Sequence, residues 1–208
     1  RLMGDMGLYT IHPAPNTSKR NHEHKVYPYL LRGLLINCPN LVWAIDITYI
    51  RLDRGFAYLV AIIDWYSRFV FKWQLSNSLS SSFCVDAVSR AFDDYGTPLV
   101  INTDQGCQFT SSSFTEAIED RDVQISMDSK GRALDNVMIE RLWRSLKYEE
   151  VYLKGYNQKC FREAEKGIEN YFNFYNKERP HQSLGRTTPS IFHEAEKDKK
   201  ERELLCVL

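Results

Sequence analysis

Leu41-Val42-Trp43-Ala44-Ile45-Asp46-Ile47-Thr48-Tyr49-Ile50 is a run of β-branched and aromatic residues interrupted by one acid. Its composition reads as a buried strand. A lone charge in such a strand is costly, so Asp46 needs a physical reason to be there. A second apolar strand, Leu99-Val100-Ile101-Asn102-Thr103-Asp104, ends in another acid and runs into a Gly-containing turn. A third acid, Glu140, lies in a helical stretch opening near Asp135 and Asn136, with thirty-five residues between it and Asp104. Acids at strand ends that converge with a helical acid make a cage of oxygen ligands, the kind Mg²⁺ prefers. Two metals about 3.5–4 Å apart would clamp the attacking and leaving oxygens of an in-line phosphoryl displacement. The pattern points to an enzyme that cuts or joins nucleic acid. Taken singly, a strand Asp is more often an edge residue, a turn former or an ion-pair partner. The three acids in their settings together carry the reading.

The surrounding pattern alternates strands and helices. Three strands are predicted at about 41–51, 56–64 and 68–76, with Asp53-Arg54-Gly55 and Trp65-Tyr66-Ser67 as the two turns. Residues 80–95 read as a helix capped by Ser80, Ser81 and Ser82, with Phe83, Ala87, Val88, Ala91 and Phe92 on its apolar face and Gly96-Thr97-Pro98 as its stop. A fourth strand, 99–103, delivers Asp104. A strand reached through a helical crossover is most simply parallel to one already in the sheet, which can set Asp104 beside Asp46. A helix at about 111–121 and a short strand at 123–127 follow. Residues 128–135 read as a polar loop, and Asp135 as the N-cap of the next helix. On that helix Arg144 and Lys147 share a face with Glu140, while Val137, Ile139, Trp143 and Leu146 suit its buried side. A last helix is predicted at 158–176. Its cluster Tyr171-Phe172-Asn173-Phe174-Tyr175 suits core packing better than base stacking. Residues 178–184 read as a loop that exposes Arg179 and His181 beside Pro180 and folds back over the core.

Composition narrows the classes. The 208 residues are 43% hydrophobic and 13% aromatic, enough for one sizeable core with extensions. No apolar run reaches membrane-spanning length and no signal peptide is visible. Five cysteines, an odd number without a C-x-x-C pair, argue for reduced thiols in a cytosol and against a disulfide frame or a zinc site. His22 and His24 read as solvated residues, since no paired Cys follows at zinc-finger spacing. The net charge is zero, but it is unevenly spread. Residues 41–139 carry eight Lys and Arg against thirteen acids; residues 1–40 carry five against two, and residues 140–186 ten against seven. An acidic middle suits cation binding, and basic flanks can meet phosphates, giving modest, salt-sensitive affinity.

Several blocks together resemble the catalytic part of an insertion-sequence transposase with a retroviral-integrase-type DDE core. They are 43–50, Tyr58 to Arg68, Asn102 to Ser111, Ser126 to Gly131, Asp135 to Lys147, and Phe174 to Leu184. The resemblance is nearest to the large family numbered three, whose catalytic segment is the second of two overlapping reading frames. It covers residues 7–192. Many relatives carry His at the position of Asn102 and Ala at that of Val137; neither change touches a carboxylate. Residues 1–37 are expected to be the remnant of an upstream helical DNA-binding region plus a linker. Residues 38–192 are expected to form the catalytic core with a helical extension, and 193–208 a charged tail.

The resemblance implies an α/β, RNase H-like fold: a five-stranded mixed sheet flanked by helices. It implies catalytic and metal-binding roles for Asp46, Asp104 and Glu140, with Asp46 shared between two Mg²⁺ (or Mn²⁺) ions. Lys147, Arg144, Lys130 and Arg132 are the expected DNA contacts. The implied activity is metal-dependent cleavage at transposon ends and transfer of the 3′-OH into DNA, by a homo-oligomer assembled on DNA. The setting would be the bacterial cytoplasm, with the nucleoid, and neither a membrane nor a small-molecule substrate is implied. Without metal the acids would repel, and at least one pKa should rise. Two rivals stay open: an RNase H-type nuclease acting on RNA–DNA hybrids, and a catalytically silent DNA-binding remnant.

Overall fold

A computed structural model describes residues 25–128 and 136–205, with side chains through residue 199. The strands are β1 (Val42–Leu52), β2 (Gly55–Asp64), β3 (Val70–Ser76), β4 (Val100–Thr103) and β5 (Gln124–Met127). The helices are α1 (Ser82–Tyr95), α2 (Ser112–Glu119), α3 (Val137–Leu146), α4 (Phe161–Lys177) and α5 (Pro189–Leu205). The five strands form one mixed sheet in the order β3-β2-β1-β4-β5. The β1–β2 and β2–β3 pairs are antiparallel, and β1–β4 and β4–β5 are parallel. The helical crossover through α1 therefore does return β4 parallel to β1, at the centre of the sheet.

Period-two alternation sorts the side chains of β1 and β2 onto two faces. Ala44, Ile50, Ala57, Leu59, Ala61 and Ile63 join one core with Ile139, Leu142, Trp143 and Leu146 of α3 and Ile168, Phe172 and Tyr175 of α4. Trp43, Ile45, Val60 and Ile62 join the other with Phe83, Val88 and Phe92 of α1 and Phe114 and Ile118 of α2. Asp46 shares the parity of Ala44 and Ile50, so it belongs to the α3–α4 face.

The predicted elements recur with small shifts that have local causes. The β1–β2 turn holds Gly55 at φ +90°, which favours glycine. The third strand starts at Val70 rather than near residue 68, because Arg68 turns at φ +64° and its N–H closes on the Asp64 carbonyl at 3.0 Å. Helix α1 ends where Gly96, at φ +79°, donates to the Phe92 carbonyl. Its N-cap is Ser81, which makes no side-chain cap bond. Helix α4 begins at Phe161, not near 158, because Tyr156–Gln158 form a separate 3₁₀ turn. Glu163 then reaches back to the Cys160 N–H at 3.0 Å. Helix α5 runs through residue 193 without a break, and its His193 is buried. Residues 25–31 pack rather than hang free: Leu31 is buried with Val42, Trp65 and Val100, and the Leu30 N–H donates to Ser126 Oγ at 3.0 Å. His22 and His24 lie outside the described residues.

Lys147 was expected on the α-helical face of Glu140, but α3 ends at Leu146. The chain then widens into a π turn, Lys147–Val151, closed by the Tyr152 N–H on the Lys147 carbonyl at 2.8 Å. The extra residue rotates Glu150 and Val151 inward and leaves Tyr148 and Tyr152 outside. Glu150 then accepts from Tyr156 Oη at 2.9 Å and pairs with Lys154 at 2.7 Å.

Candidate active site

The parallel register places the first two acids. Val42 lies beside Val100 and Ala44 beside Asn102, so two residues further along each strand Asp46 and Asp104 come level. On the next strand Thr103 lies beside Met127, and one residue further Asp128 comes level with Asp104. Three neighbouring strands thus each present an acid at the same level. The sequence reading treated Asp128 only as a loop residue. Its signal was its place directly after a short apolar strand, the same position Asp104 holds.

Asp46 is held from two directions. The Ile47 N–H donates to its Oδ1 at 2.8 Å, and the indole Nε1–H of Trp143 donates to its Oδ2 at 2.9 Å. Burial and then the neighbouring Asp104 charge push its pKa up to about 7, against the two donors, with Asp128 adding to the push. Asp104 keeps much of its surface exposed, yet the protein packed around its carboxyl raises its pKa too; the Gly106 N–H, donating to Oδ1 at 2.8 Å, works the other way. Gly106 has a steric reason to be glycine: a Cβ there would stand 2.8 Å from Asp104 Oδ1. Asp128 is tied in by Asn102 Nδ2, which donates to Oδ1 at 2.8 Å, and by Gln105 Nε2, which donates to its carbonyl at 2.8 Å.

Glu140 sits exposed in the first turn of α3. Among the described residues no three His, Cys, Asp or Glu side chains close into a group arranged to hold a metal ion. The structure therefore brings Asp46 and Asp104 together and ties α3 to Asp46 through Trp143, three residues after Glu140. Arg144 is exposed one turn beyond Glu140, and Lys147 is half-buried where the π turn begins. Lys130, Arg132 and the predicted cap Asp135 lie outside the described residues. The N-cap of α3 is Asn136, without a side-chain cap bond. The chemistry of the paired acids fits a hard divalent cation, since positive charge between them would relieve the repulsion that, after burial, raises Asp46.

The aromatic cluster of α4 is core, as composition suggested: Tyr171, Phe172 and Tyr175 are buried, and only Phe174 is well exposed. The loop beyond it departs from expectation. Arg179 is not exposed but half-buried, forked onto Glu149 through Nε (2.9 Å) and an η nitrogen (2.6 Å), and Tyr171 Oη donates to the same carboxylate. His181 lies edge-on to Tyr175 at 4.7 Å, and burial lowers its pKa to about 4.

A mixed sheet in this order, carrying one acid within β1 and one level with it just past the end of the parallel β4, defines an integrase-type, RNase H-like core. Two integrase core domain families match, over residues 36–133 and 121–189. The HTLV-2 integrase catalytic core, solved in complex with magnesium as a dimer, superposes with a TM-score of 0.60 at 22% identity, over 75% of this chain and 97% of that one. The transposase for insertion sequence element IS904 of Lactococcus lactis is 32% identical over 92% of this chain and 78% of its own length. The transposase InsF for insertion sequence IS3A of Escherichia coli is 32% identical over 74% of this chain; the match spans 54% of InsF. The chain belongs to the insertion-sequence transposases with an integrase-type catalytic core, a family of polynucleotidyl transferases. No described helix is long and apolar enough to cross a membrane.

Proposed function

We propose that the chain cleaves DNA at transposon ends and joins the freed 3′-OH to DNA, using Asp46, Asp104 and Glu140 as its metal ligands. The observation that carries this is the Asp46–Asp104 pair: two acids set level by the parallel β1–β4 register, with Asp46 pushed toward protonation by burial and its neighbour. Asp46 would hold two Mg²⁺ or Mn²⁺ ions, with Asp104 and Glu140 each completing one site. Such ions, when bound, activate a water or a 3′-hydroxyl and stabilise the leaving oxygen. The protein's part is to orient the carboxylates: the Ile47 N–H and the Trp143 indole hold Asp46, and the Gly106 N–H holds Asp104. Arg144, Lys147, Lys130 and Arg132 would meet the phosphates of the transposon end, lending salt-sensitive affinity. A helical DNA-binding region upstream and a homo-oligomer that joins two ends complete the reading, in the bacterial cytoplasm at the nucleoid.

The test is strand joining of a precut DNA end with Mg²⁺ or Mn²⁺, wild type beside Asp104→Asn. Joining that vanishes in the variant while DNA binding persists is the expected result. Metal-dependent nicking without joining would favour a nuclease, and DNA binding with no metal-dependent activity a silent remnant.

A further inference from the structure

The structure assigns Trp143 as a positioning residue that holds Asp46 ready to share its two oxygens between cations. This inference rests on the metal reading of Asp46 proposed above. A carboxylate has about four lone-pair directions, two on each oxygen. In Asp46 the Ile47 N–H occupies one on Oδ1 and the Trp143 indole N–H one on Oδ2, at 2.8 and 2.9 Å. One direction stays open on each oxygen, and the carboxyl plane is pinned at both ends. With a single donor the group could swing about its side-chain bond; with two it cannot.

Trp143 is itself buried. It is 6% exposed and packs in the core formed by β1, β2, α3 and α4. It lies one helical turn from Glu140, so one rigid ring couples the strand acid to the helix that carries the third acid. A buried indole N–H needs an acceptor. Any backbone carbonyl would satisfy that need, whereas here the acceptor is the acid whose neighbours are other acids. Groups that hold metal ligands in place commonly change affinity by about 10–100-fold when removed.

The experiment measures Mn²⁺ binding by the free-ion electron paramagnetic resonance signal, without DNA, for wild type, Trp143→Phe, Asp46→Asn and Leu146→Ala. Trp143→Phe keeps a ring in the core and removes the donor. It is expected to weaken Mn²⁺ binding about tenfold or more. Leu146→Ala thins the same buried face of α3 and should lower the melting temperature while leaving Mn²⁺ affinity within about twofold. Equal affinity in Trp143→Phe and wild type overturns the assignment. Mn²⁺ binding unchanged in Asp46→Asn, or absent in wild type, overturns the metal reading of Asp46 instead, and the assignment with it.

A second readout does not depend on the fold of Trp143→Phe. The four tryptophans yield four indole N–H signals in ¹⁵N-labelled protein, and Mg²⁺ should shift that of Trp143 far more than that of Trp43, whose indole donates to Asn40. A Trp143 signal unmoved by Mg²⁺, in protein whose Mn²⁺ binding depends on Asp46, overturns the assignment as well.

Discussion

Asp46, half-buried, and Asp64, buried, are acids on neighbouring strands, and they live in opposite company. Asp64, at the end of β2 opposite Trp43, is wholly buried. It accepts from the Asn40 N–H (2.9 Å), the Ser67 N–H (2.6 Å) and Ser67 Oγ–H (2.7 Å). Because Ser67 gives its proton to Asp64, it takes one from His193 Nδ1 at 2.9 Å, which requires the Nδ1–H tautomer and ties α5 to the β2–β3 turn. Burial raises the pKa of Asp64, but the donors and His193 push back. Asp46 has two donors and two acidic neighbours, Asp104 and Asp128, and is left near 7. Burial alone therefore does not distinguish a working acid from a structural one. Donors mark the structural acid, and like charges mark the acid that needs a cation.

The comparison can be broken most forcefully at Asp64. Asp64→Asn turns an acceptor toward donors as a second donor, and should cost about 3 kcal/mol of stability in denaturant unfolding. Stability equal to wild type would dissolve the contrast with Asp46. Next comes the pH dependence of metal-free protein. An acid with an ordinary pKa of 3.8 in the unfolded chain and about 7 in the folded one binds its proton more tightly when folded. Its contribution to stability is therefore full below pH 4 and is lost as pH rises through 7. Denaturation at pH 5 and pH 8 should show that loss, on the order of 2 kcal/mol. Asp46→Asn, or saturating Mg²⁺, should remove it, and a wild type as stable at pH 8 as at pH 5 relative to Asp46→Asn would contradict the assignment.

A third, satisfied acid sharpens the same point. A Cβ at Gly167 of α4 would overlap Tyr156 Oη and stand 3.2 Å from Glu150 Oε1, so Gly167→Ala should crowd the Glu150–Tyr156 pair. A cost of about 2 kcal/mol in thermal or chemical unfolding is expected, despite alanine's better helix propensity; a neutral result would mean the pair yields freely. The smallest effect belongs to the site. Gly106→Ala presses on Asp104 Oδ1 and should leave stability unchanged while slowing strand joining about tenfold, since small displacements of reacting groups are costly. Joining at the wild-type rate would show that Asp104 tolerates the shift.

Much of this was legible because it depends on local rules. The apolar runs, the Gly-containing turns and the crossover through α1 predict the five strands, their order of appearance and the level pairing of Asp46 with Asp104. The apolar face of α3 and the buried aromatics of α4 follow from helical spacing. The Asn40 donor to Asp64, the fork of Arg179 on Glu149 and the bond from Trp143 to Asp46 were not legible. Each joins residues far apart in sequence through one polar contact, and such contacts leave no periodicity. The π turn at Lys147–Val151 was missed for a related reason: the spacing Glu140, Arg144, Lys147 suits an α-helix, and the widening places Glu150 against Tyr156 and Gly167.

The sequence by itself determined the alternation of strands and helices and which acids lie within or just after the strands, because burial patterns and turn chemistry act over a few residues. Only the tertiary structure decided what surrounds each acid. A carboxylate's chemistry depends on the donors and charges within a few ångströms of it, and those are chosen by how the sheet and its helices pack.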